Sequence, residues 1–354
     1  MKHSTLVSWG WGPRQAALWE ETAAGDSVPA RVVRVFGTEW ELVTPDGLVR
    51  ATTRSRLRHH DRAFGLPAVG DWVALDPATR SIEAVLPRSS LLVRKAAGDV
   101  ARPQVLAANL DWVMAVMAVD NDFNLRRLER YLAVIAESGA RPLVVLSKCD
   151  LLDAPDGRVA EVRTVAPEAE VMAVSSTRGD GIEALEALLR GQTAALVGSS
   201  GAGKSTLLNR LVGSEAMATT PTRAHDGRGQ HTTTQRVMFQ TRDGALVIDT
   251  PGMRELGLWD VDEGIDRAFE DVTALCAQCQ FRDCSHGPEK GCAVRAALER
   301  GSLPRERYAA WDKLRREATA AQLRGDKQAQ AAARAVWKRR SQESAARAKL
   351  KRGD

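Results

Sequence analysis

A glycine-rich stretch near the middle of the chain, GSSGAGKS at residues 198–205, limits the possible folds more than any other feature. It matches the pattern G-x-x-x-x-G-K-[ST], in which backbone N–H groups and a helix N-terminus surround the phosphates of a nucleotide. The apolar residues 193–197 before it predict a buried strand, and residues 205–212 after it predict a helix. This strand–loop–helix context predicts a P-loop α/β domain with a mostly parallel sheet.

Strand and helix patterns alternate on both sides of this loop, as expected for an α/β domain. Nearly continuous apolar runs predict further buried strands at residues 110–119, 142–148, 171–176 and 245–248. Apolar residues at helical spacing predict helices over residues 123–139 and 181–191. We therefore expect a single nucleotide-binding domain over residues 91–265.

The residue types in the glycine-rich loop indicate how it would hold a nucleotide. Lys204 is placed to reach the β- and γ-phosphates, and Ser205 is placed to hold Mg²⁺. Asp249 ends the last predicted strand, where it can hold the Mg²⁺ shell, and Gly252 can donate its backbone N–H to the γ-phosphate. The predicted phosphate-binding residues of the loop and its helix are Gly198, Ser199, Ser200, Gly201, Ala202, Gly203, Lys204, Ser205 and Thr206.

The stretch SKCD at residues 147–150 follows another predicted strand and matches the pattern with which GTPases bind guanine. Asp150 can accept hydrogen bonds from N1–H and the 2-amino group of guanine, whereas adenine offers no matching donors there. The stem of Lys148 can lie over the base, and Ser175 and Ser176 are similar to the element that meets guanine O6 through backbone N–H groups. A P-loop ATPase is the alternative, because a surface turn can carry Lys and Asp by chance.

The guanine motifs precede the phosphate loop, whereas an ordinary GTPase has the opposite order. Joining the original termini and opening the chain before the guanine-binding half would produce this order. The sheet and the nucleotide site would be unchanged by this permutation, because the termini of a domain often lie close together and can be joined by a short loop. We therefore predict a circularly permuted GTPase domain, whose switch segment leads directly into the residues that follow the domain.

The polar residues 222–235, between the phosphate loop and the last predicted strand, are expected to contain the remaining catalytic groups. Thr233 is predicted to complete the Mg²⁺ shell. Met253 stands after Gly252, where many GTPases carry a water-orienting Gln, and an apolar side chain cannot orient water. His231 is the nearest candidate to position or deprotonate the attacking water. An exposed histidine without a catalytic role is the alternative.

Four of the five cysteines lie within residues 276–292, and clustered cysteines in a cytosolic chain favour metal binding over disulfides. The spacing Cys-x4-Cys-x-His-x5-Cys supplies three thiolates and one imidazole, which is a closed structural zinc set. The predicted zinc ligands are Cys279, Cys284, His286 and Cys292. Cys276 is a spare thiol that can compete with them. A catalytic zinc is disfavoured because the pattern leaves no open position.

The flanking residues favour contact with nucleic acid. Residues 27–90 contain β-branched runs separated by turn signals, which predict a small β-barrel. An OB-fold barrel can use its basic positions for RNA, and a generic barrel with a solvated basic loop is the alternative. Those positions are Arg50, Arg54, Arg56, Arg58 and His59. The chain has a net charge of +5, and much of the excess positive charge lies in its last fifty residues. This charge fits either a polyanionic partner or a helix that is exposed to solvent.

The predicted division of the chain is residues 1–26 as an N-terminal extension, 27–90 as an OB-fold RNA-binding domain, 91–265 as the permuted GTPase domain, 266–310 as a zinc-binding α-helical domain and 311–354 as a basic helical tail. No run of eighteen apolar residues predicts a membrane span, and the N-terminus lacks the apolar core of a signal peptide. We expect a cytoplasmic protein with no membrane partner.

The combination of motifs resembles the circularly permuted GTPases that act on the small ribosomal subunit, the ribosome small-subunit-dependent GTPase A family. The resemblance covers about residues 28–310. It rests on RKAAGD at 94–99, FNLRRLERYL at 123–132, the rotated order of SKCD, GSSGAGKS and DTPG, GRGQHTTT at 227–234, and the cysteine–histidine pattern followed by Ala293 and Val294. It implies an N-terminal OB-fold, a central permuted GTPase domain and a C-terminal zinc domain.

The resemblance also implies a function: GTP hydrolysis that is faster on the small subunit, and assistance in the late maturation of that subunit. It implies His231 as the catalytic histidine. Ser147 replaces the usual Asn or Thr of the guanine motif, and its shorter side chain leaves open whether it still bonds to the phosphate loop. Gln230 stands where many relatives have Arg. We therefore expect a monomeric GTPase that holds one structural Zn²⁺ and binds Mg²⁺ together with GTP or GDP. The alternative is an RNA-binding switch that is controlled by nucleotide binding and whose GTP hydrolysis is incidental.

Overall fold

The computed structural model of the chain describes residues 4–22, 25–54, 57, 65–95, 103–213, 236–250, 262–281, 283–287 and 289–320. Two short helices, α1 (Ser4–Val7) and α2 (Pro13–Thr22), precede the first strand. The predicted extension is therefore helical within its described part. Leu6 of α1 is fully buried, and the ring of Trp11 lies edge-on to that of Trp72, with 5.0 Å between centroids.

A five-stranded barrel follows, which confirms the predicted OB-like fold. Its strands are β1 (Val28–Phe36), β2 (Glu39–Thr44), β3 (Gly47–Thr53), β4 (Trp72–Asp76) and β5 (Ser81–Val85). Strand β3 pairs with β5 in parallel, and the remaining neighbours, including the closing pair of β1 and β4, are antiparallel. Alternate side chains fill the interior, among them Val32, Leu42, Val73 and Ile82.

A hairpin that the sequence patterns did not indicate connects the barrel to the next domain. It consists of β6 (Leu91–Lys95) and β7 (Pro103–Ala108), paired antiparallel as a separate two-stranded sheet. Gly70, at φ +97°, packs against its second strand, because a Cβ at this position would lie 2.1 Å from the Ala108 carbonyl oxygen. The hairpin is therefore packed closely against the barrel.

The central sheet has the strand order β10-β9-β8-β11-β13-β12. Its strands are β8 (Trp112–Ala118), β9 (Arg141–Ser147), β10 (Glu170–Ala173), β11 (Thr193–Val197), β12 (Val237–Gln240) and β13 (Leu246–Asp249). All neighbours are parallel except β12 and β13, which confirms the predicted mostly parallel sheet. Strand β12 was not predicted, because its four residues follow a long polar stretch and carry no periodic signal.

Helices cover this sheet and largely match the predicted ones. They are α3 (Leu125–Ser138), α4 (Asp156–Val165), α5 (Ile182–Leu189) and α6 (Lys204–Val212). Helix α4 was not predicted, since only Val162 of this helix is buried and its apolar pattern is weak. Helix α3 begins where the Asn124 side chain accepts a hydrogen bond from Arg127 N–H, and it ends at the left-handed Gly139.

The barrel and the central sheet form one continuous sheet of eleven strands, although the sequence indicated two separate sheets. The connection is an antiparallel contact between β1 and β12, with Arg34 opposite Val237. Beside it, the buried guanidinium of Arg31 donates to Thr193 Oγ1 at 3.0 Å and to the backbone carbonyl of Trp9. The N-terminal helices, the barrel and the nucleotide domain therefore share one buried polar junction.

The C-terminal part is helical around the cysteine cluster, as predicted. Its helices are α7 (Asp262–Ala268), α8 (Glu270–Cys276), α9 (Ala293–Arg300) and α10 over residues 305–320. The predicted domain boundaries after residues 265 and 310 fall inside α7 and α10. Among the helices of the described residues, none combines the length and the hydropathy that a membrane span requires.

Candidate nucleotide site and metal centre

The carboxyl ends of the parallel strands place the predicted nucleotide motifs at one edge of the sheet. Strand β9 leads into the guanine motif, β11 into the glycine-rich loop and β13 into Asp249. Leu196 pairs with Asp249 in register, so the carboxylate lies at the level at which the phosphate loop begins. Crevices at the carboxyl edge of an open α/β sheet are the usual place for nucleotides.

The glycine-rich loop has a backbone that only glycine can adopt at its first position. Gly198 has φ +147°, and a Cβ there would lie 2.3 Å from the Val116 carbonyl oxygen of the neighbouring strand. Lys204 donates from Nζ to the carbonyl oxygens of Gly198, at 2.9 Å, and Ser199. The loop thus curves around the ammonium group, a shape that suits a polyanion such as a polyphosphate.

A hydrogen bond joins the guanine motif to the phosphate loop. Ser147 Oγ donates to the Ala202 carbonyl oxygen at 2.6 Å, and both residues are buried. The side chain of Ser147 is therefore long enough to make this bond despite being shorter than Asn. Gly203 lies against the same hydroxyl, since a Cβ there would be 3.4 Å from Ser147 Oγ. Two segments that are fifty-five residues apart are thereby held together.

The predicted base-binding side chains lie at the adjoining corner. Ser175 Oγ donates to Asp150 Oδ1 at 2.6 Å, and this hydrogen bond lowers the pKa of Asp150 below its ordinary value. The carboxylate is ionised at neutral pH and acts only as an acceptor, as guanine recognition requires. Lys148 has a left-handed backbone, at φ +59°, and donates from Nζ to Asp120 Oδ2 at 2.9 Å.

The sequence patterns did not identify two carboxylates near the phosphate loop, those of Asp120 and Asp122. Burial acts to raise the pKa of Asp120, but the hydrogen bond and charge of Lys148 and the backbone N–H of Asp122 together outweigh it, so the pKa is lowered. Asp122 accepts hydrogen bonds from Ser199 Oγ and from Arg127 Nη2, and so connects the loop to helix α3. Both follow the buried strand β8, and a carboxylate directly after a parallel strand is the signal that identifies them.

The remaining phosphate-side residues are only partly described. Asp249 is buried, and the Thr250 hydroxyl beside it donates to the Leu196 carbonyl oxygen at 2.6 Å. Ser205 and Ser176 are half-buried, whereas Ser200, Gly201 and Thr206 are exposed on the loop and its helix. His231, Thr233, Gly252 and Met253 lie outside the described residues, as do Arg56, Arg58 and His59.

The four predicted zinc ligands converge around one point. The ligand atoms of Cys279, Cys284, His286 and Cys292 all lie within 4.8 Å of one another. His286 Nδ1 is 3.7 Å from the sulfur atoms of Cys279 and Cys292. Tetrahedral zinc with bonds of about 2.3 Å to sulfur and about 2.0 Å to nitrogen separates its ligand atoms by roughly 3.6 Å. The cluster is therefore compatible with zinc.

Backbone N–H groups at the start of helix α9 lie against two of the sulfur atoms. Burial acts to raise the pKa of Cys279, but hydrogen bonds from the N–H groups of Val294 and Ala293 and from the side chains of Cys284 and Cys292 together lower that pKa. Cys292 caps the same helix, with its sulfur 3.3 Å from Arg295 N. Cys276 is separate from this group, since its sulfur lies 3.3 Å from His286 Nε2, the other ring nitrogen.

Comparisons with known proteins agree with this geometry. Residues 85–259 match the family model described as RsgA GTPase. The chain is 45% identical to the small ribosomal subunit biogenesis GTPase RsgA of Opitutus terrae, with 98% of both chains covered. It is 42% identical to the protein of the same name from Streptomyces avermitilis, covering 98% of this chain and 95% of that one.

Two solved structures share the fold. The crystal structure of YjeQ from Thermotoga maritima aligns with a TM-score of 0.62 and 26% identity, covering 83% of this chain and 99% of that one. The crystal structure of YloQ, described as a circularly permuted GTPase, aligns with a TM-score of 0.58 and 21% identity, covering 84% of this chain and 98% of that one. Both alignments support the fold described above.

Proposed function

The chain belongs to the RsgA GTPase family, and from that membership we propose that it binds the small (30S) ribosomal subunit and assists its late maturation. Like the family, it is a GTPase, which hydrolyses GTP to GDP and phosphate. Turnover is stimulated by the subunit, and hydrolysis times the release of the protein from it.

The structural observation that supports the GTPase part of this function is the hydrogen bond from Ser147 to Ala202. It supports a single nucleotide site in which the base-binding corner and the phosphate loop are fixed relative to each other. A nucleotide bridging the two would contact both halves of the permuted domain at once. Binding therefore depends on the correct base as well as on the polyphosphate.

Guanine selection is assigned to the SKCD corner. Asp150 accepts from N1–H and the 2-amino group, the stem of Lys148 covers the base, and the backbone N–H of Ser176 meets O6. Ser175 acts through its hydroxyl, because its own N–H donates to the Asp180 carbonyl oxygen at 2.9 Å. The hydrogen bond from Ser175 to Asp150 supports this assignment, because it holds the carboxylate in one orientation. Adenine would leave the acceptor unmatched, and such a mismatch at a buried polar pair is strongly discriminating.

Phosphate binding is assigned to residues 198–206, with Lys204 on the β- and γ-phosphates. Oxygen ligands suit Mg²⁺, and the hydroxyl of Ser205 with the buried carboxylate of Asp249 offers such a set. Thr233 is proposed as the third protein ligand, and the backbone N–H of Gly252 as a donor to the γ-phosphate. When bound, Mg²⁺ neutralises charge that develops on the phosphate oxygens.

His231 is proposed to position the attacking water. The water oxygen bonds to the γ-phosphorus as the bond to the β–γ bridging oxygen breaks, which leaves GDP and phosphate. The imidazole can accept the water proton near neutral pH. The zinc ion is assigned a structural role, with Cys279, Cys284, His286 and Cys292 as its ligands and no open position for chemistry.

Ribosomal RNA is the proposed partner of the barrel, the zinc-binding domain and the basic tail. On the barrel, Arg34 and Arg50 lie over the ring of Phe36, with their guanidinium carbons 5.5 and 5.1 Å from its centroid. Aromatic and guanidinium planes are the groups on which bases stack. Arg54, in contrast, forms an ion pair with Glu83 at 2.5 Å. We further propose a cytoplasmic monomer whose subunit binding weakens with salt.

The first test is GTP hydrolysis by the full chain with and without purified small ribosomal subunits at moderate salt. Strong stimulation is expected. Nucleotide-dependent subunit binding without stimulation would favour a switch whose hydrolysis is incidental, and a lack of both would refute the ribosomal assignment. His231→Ala should remove the stimulated rate but preserve binding; full stimulated turnover in that variant would refute the catalytic role.

The second test concerns base identity. Asp150→Asn should weaken GTP binding by at least tenfold, because the amide cannot accept both guanine donors. The same variant should gain affinity for xanthosine triphosphate, since the new amide N–H₂ can donate to the carbonyl at C2 of xanthine. The exposed Asp153 offers the matched control Asp153→Asn, which should bind GTP like the parent. A parent protein that binds ATP as tightly as GTP would refute guanine recognition.

A further inference from the structure

The two ring nitrogens of His286 have different neighbours. Nδ1 is 3.7 Å from the sulfur atoms of Cys279 and Cys292, and so faces the interior of the zinc cluster. Nε2 points the other way and lies 3.3 Å from the sulfur of Cys276, within hydrogen-bond distance for sulfur. The imidazole thus stands between the cluster and a thiol that lies outside it.

This arrangement has a specific chemical consequence. A neutral imidazole carries one N–H, and it can bind a metal only through the nitrogen that lacks it. The second nitrogen of a metal-binding histidine usually donates its N–H to a partner, which fixes the tautomer and the plane of the ring. On the zinc assignment proposed above, Nδ1 is the ligand atom, so Nε2 needs such a partner.

We propose that Cys276 is a positioning residue for the zinc site. Its sulfur accepts the Nε2–H of His286, selects the tautomer with a lone pair on Nδ1 and directs that lone pair towards the metal. Cys276 is not itself a ligand, since it lies on the far side of the imidazole from the cluster. The spare thiol noted in the sequence therefore supports the zinc ligands and does not compete with them.

Neighbouring groups hold the two partners in place. Cys276 is the last residue of α8, and His286 has a left-handed backbone at φ +59°. The rings of Trp311 and Tyr308, both on α10, lie with centroids 5.7 and 6.3 Å from that of His286. The orientation of the imidazole is thus set by aromatic packing on its faces and edges and by the thiol at Nε2.

The test is zinc affinity, measured on the full chain by competition with a chromogenic chelator. Loss of a partner for a metal-binding histidine typically costs about 10- to 100-fold in affinity, and Cys276→Ala should show a loss of this size. Cys276→Ser retains an acceptor and should remain within about fivefold of the parent. Cys149→Ala removes a buried thiol outside the cluster and should leave zinc affinity unchanged.

Two spectroscopic measurements identify the metal ligands directly. Nitrogen–proton NMR correlations of the zinc-loaded parent should show His286 protonated at Nε2 and metal-bound at Nδ1. Cobalt in place of zinc should give the same thiolate charge-transfer intensity in the parent and in Cys276→Ala, because both use three thiolates. Loss of one third of that intensity would identify Cys276 as a ligand and overturn the proposal.

The outcomes separate this inference from the zinc assignment itself. A parent that binds no zinc would overturn both. A parent that binds zinc with three thiolates, but with the same affinity after Cys276→Ala, would overturn the positioning role alone. Metal bound at Nε2 of His286 would also overturn the positioning role, because the imidazole ring would then be turned away from the orientation that the Cys276 thiol supports.

Discussion

Arg307 makes several of the contacts that hold the C-terminal helices against the nucleotide domain. Its guanidinium is buried and forms ion pairs with Asp271 at 2.9 Å and with Glu129 of helix α3 at 3.4 Å. It also donates to the backbone carbonyl of Ala268 at 2.7 Å and lies 4.0 Å from the ring centroid of Phe269. We expect Arg307→Met to loosen the zinc-binding region without unfolding the central sheet.

The magnitude follows from what the substitution leaves behind. Glu129 is 1% exposed, and burial already raises its pKa despite the two arginines beside it. Removing one partner of a buried ion pair typically costs about 3–5 kcal/mol. Arg126 remains within 3.2 Å of Glu129, and Asp271 is half-exposed, so the lower end of this range, about 3 kcal/mol, applies.

Native-state hydrogen exchange of the amides in α8 and α10 measures this cost directly. A loss of about 3 kcal/mol in local stability should accelerate exchange there by roughly 100-fold or more. Arg316→Met is the matched control, because Arg316 is 79% exposed and pairs only with the nearby Asp312 among the ion pairs of the described residues. Exposed pairs contribute about 0–1 kcal/mol, so the control should exchange nearly as the parent does.

The effect should depend on pH in a defined direction. The folded state raises the pKa of Glu129, so the buried carboxylate destabilises the fold once it is ionised and this penalty disappears as pH falls through the raised pKa. In Arg307→Met that pKa rises further, and the difference from the parent should be largest near neutral pH and shrink towards pH 5. The double variant with Glu129→Gln should recover much of the loss. Equal exchange in Arg307→Met and Arg316→Met would refute the reasoning.

Three further predictions concern the nucleotide and zinc sites. Ser147→Ala leaves the buried Ala202 carbonyl oxygen without its hydrogen-bond donor, which costs about 1–3 kcal/mol. GDP dissociation, measured by stopped flow, should therefore become at least fivefold faster. An unchanged rate would show that this hydrogen bond does not hold the two halves of the site together. Gly198→Ala places a Cβ 2.3 Å from a backbone oxygen and should abolish nucleotide binding in calorimetry. Gly244→Ala is the control: it also replaces a glycine at positive φ (+79°), but its Cβ meets nothing within 4 Å, and it should bind nucleotide normally. Removal of zinc with a chelator should accelerate hydrogen exchange in α8 and α9. The affinity for GDP should stay within about threefold of that of the zinc-loaded protein, because no predicted nucleotide contact comes from those helices. A large loss of GDP affinity would contradict a purely structural role of zinc.

Local motifs allowed much of the site to be predicted. The strand, loop and helix around Lys204 formed as expected, because the apolar pattern before the loop and the helical pattern after it are both local signals. The predicted zinc ligands lie together for a similar reason, since four donors within fourteen residues are close in space once the chain turns. The missed elements, β12 and α4, are short or weakly periodic and are stabilised by neighbours that are distant in sequence.

The sequence by itself determined the chemistry of each site, because residue type and short-range spacing decide which atoms can bind phosphate, guanine or zinc. The tertiary structure decided how those groups are connected. It placed Ser147 against Ala202, Asp122 between Ser199 and helix α3, and Cys276 at the far nitrogen of His286. These contacts depend on how the helices and strands pack against one another. Local sequence patterns do not predict them, because the residues come together only in the tertiary structure.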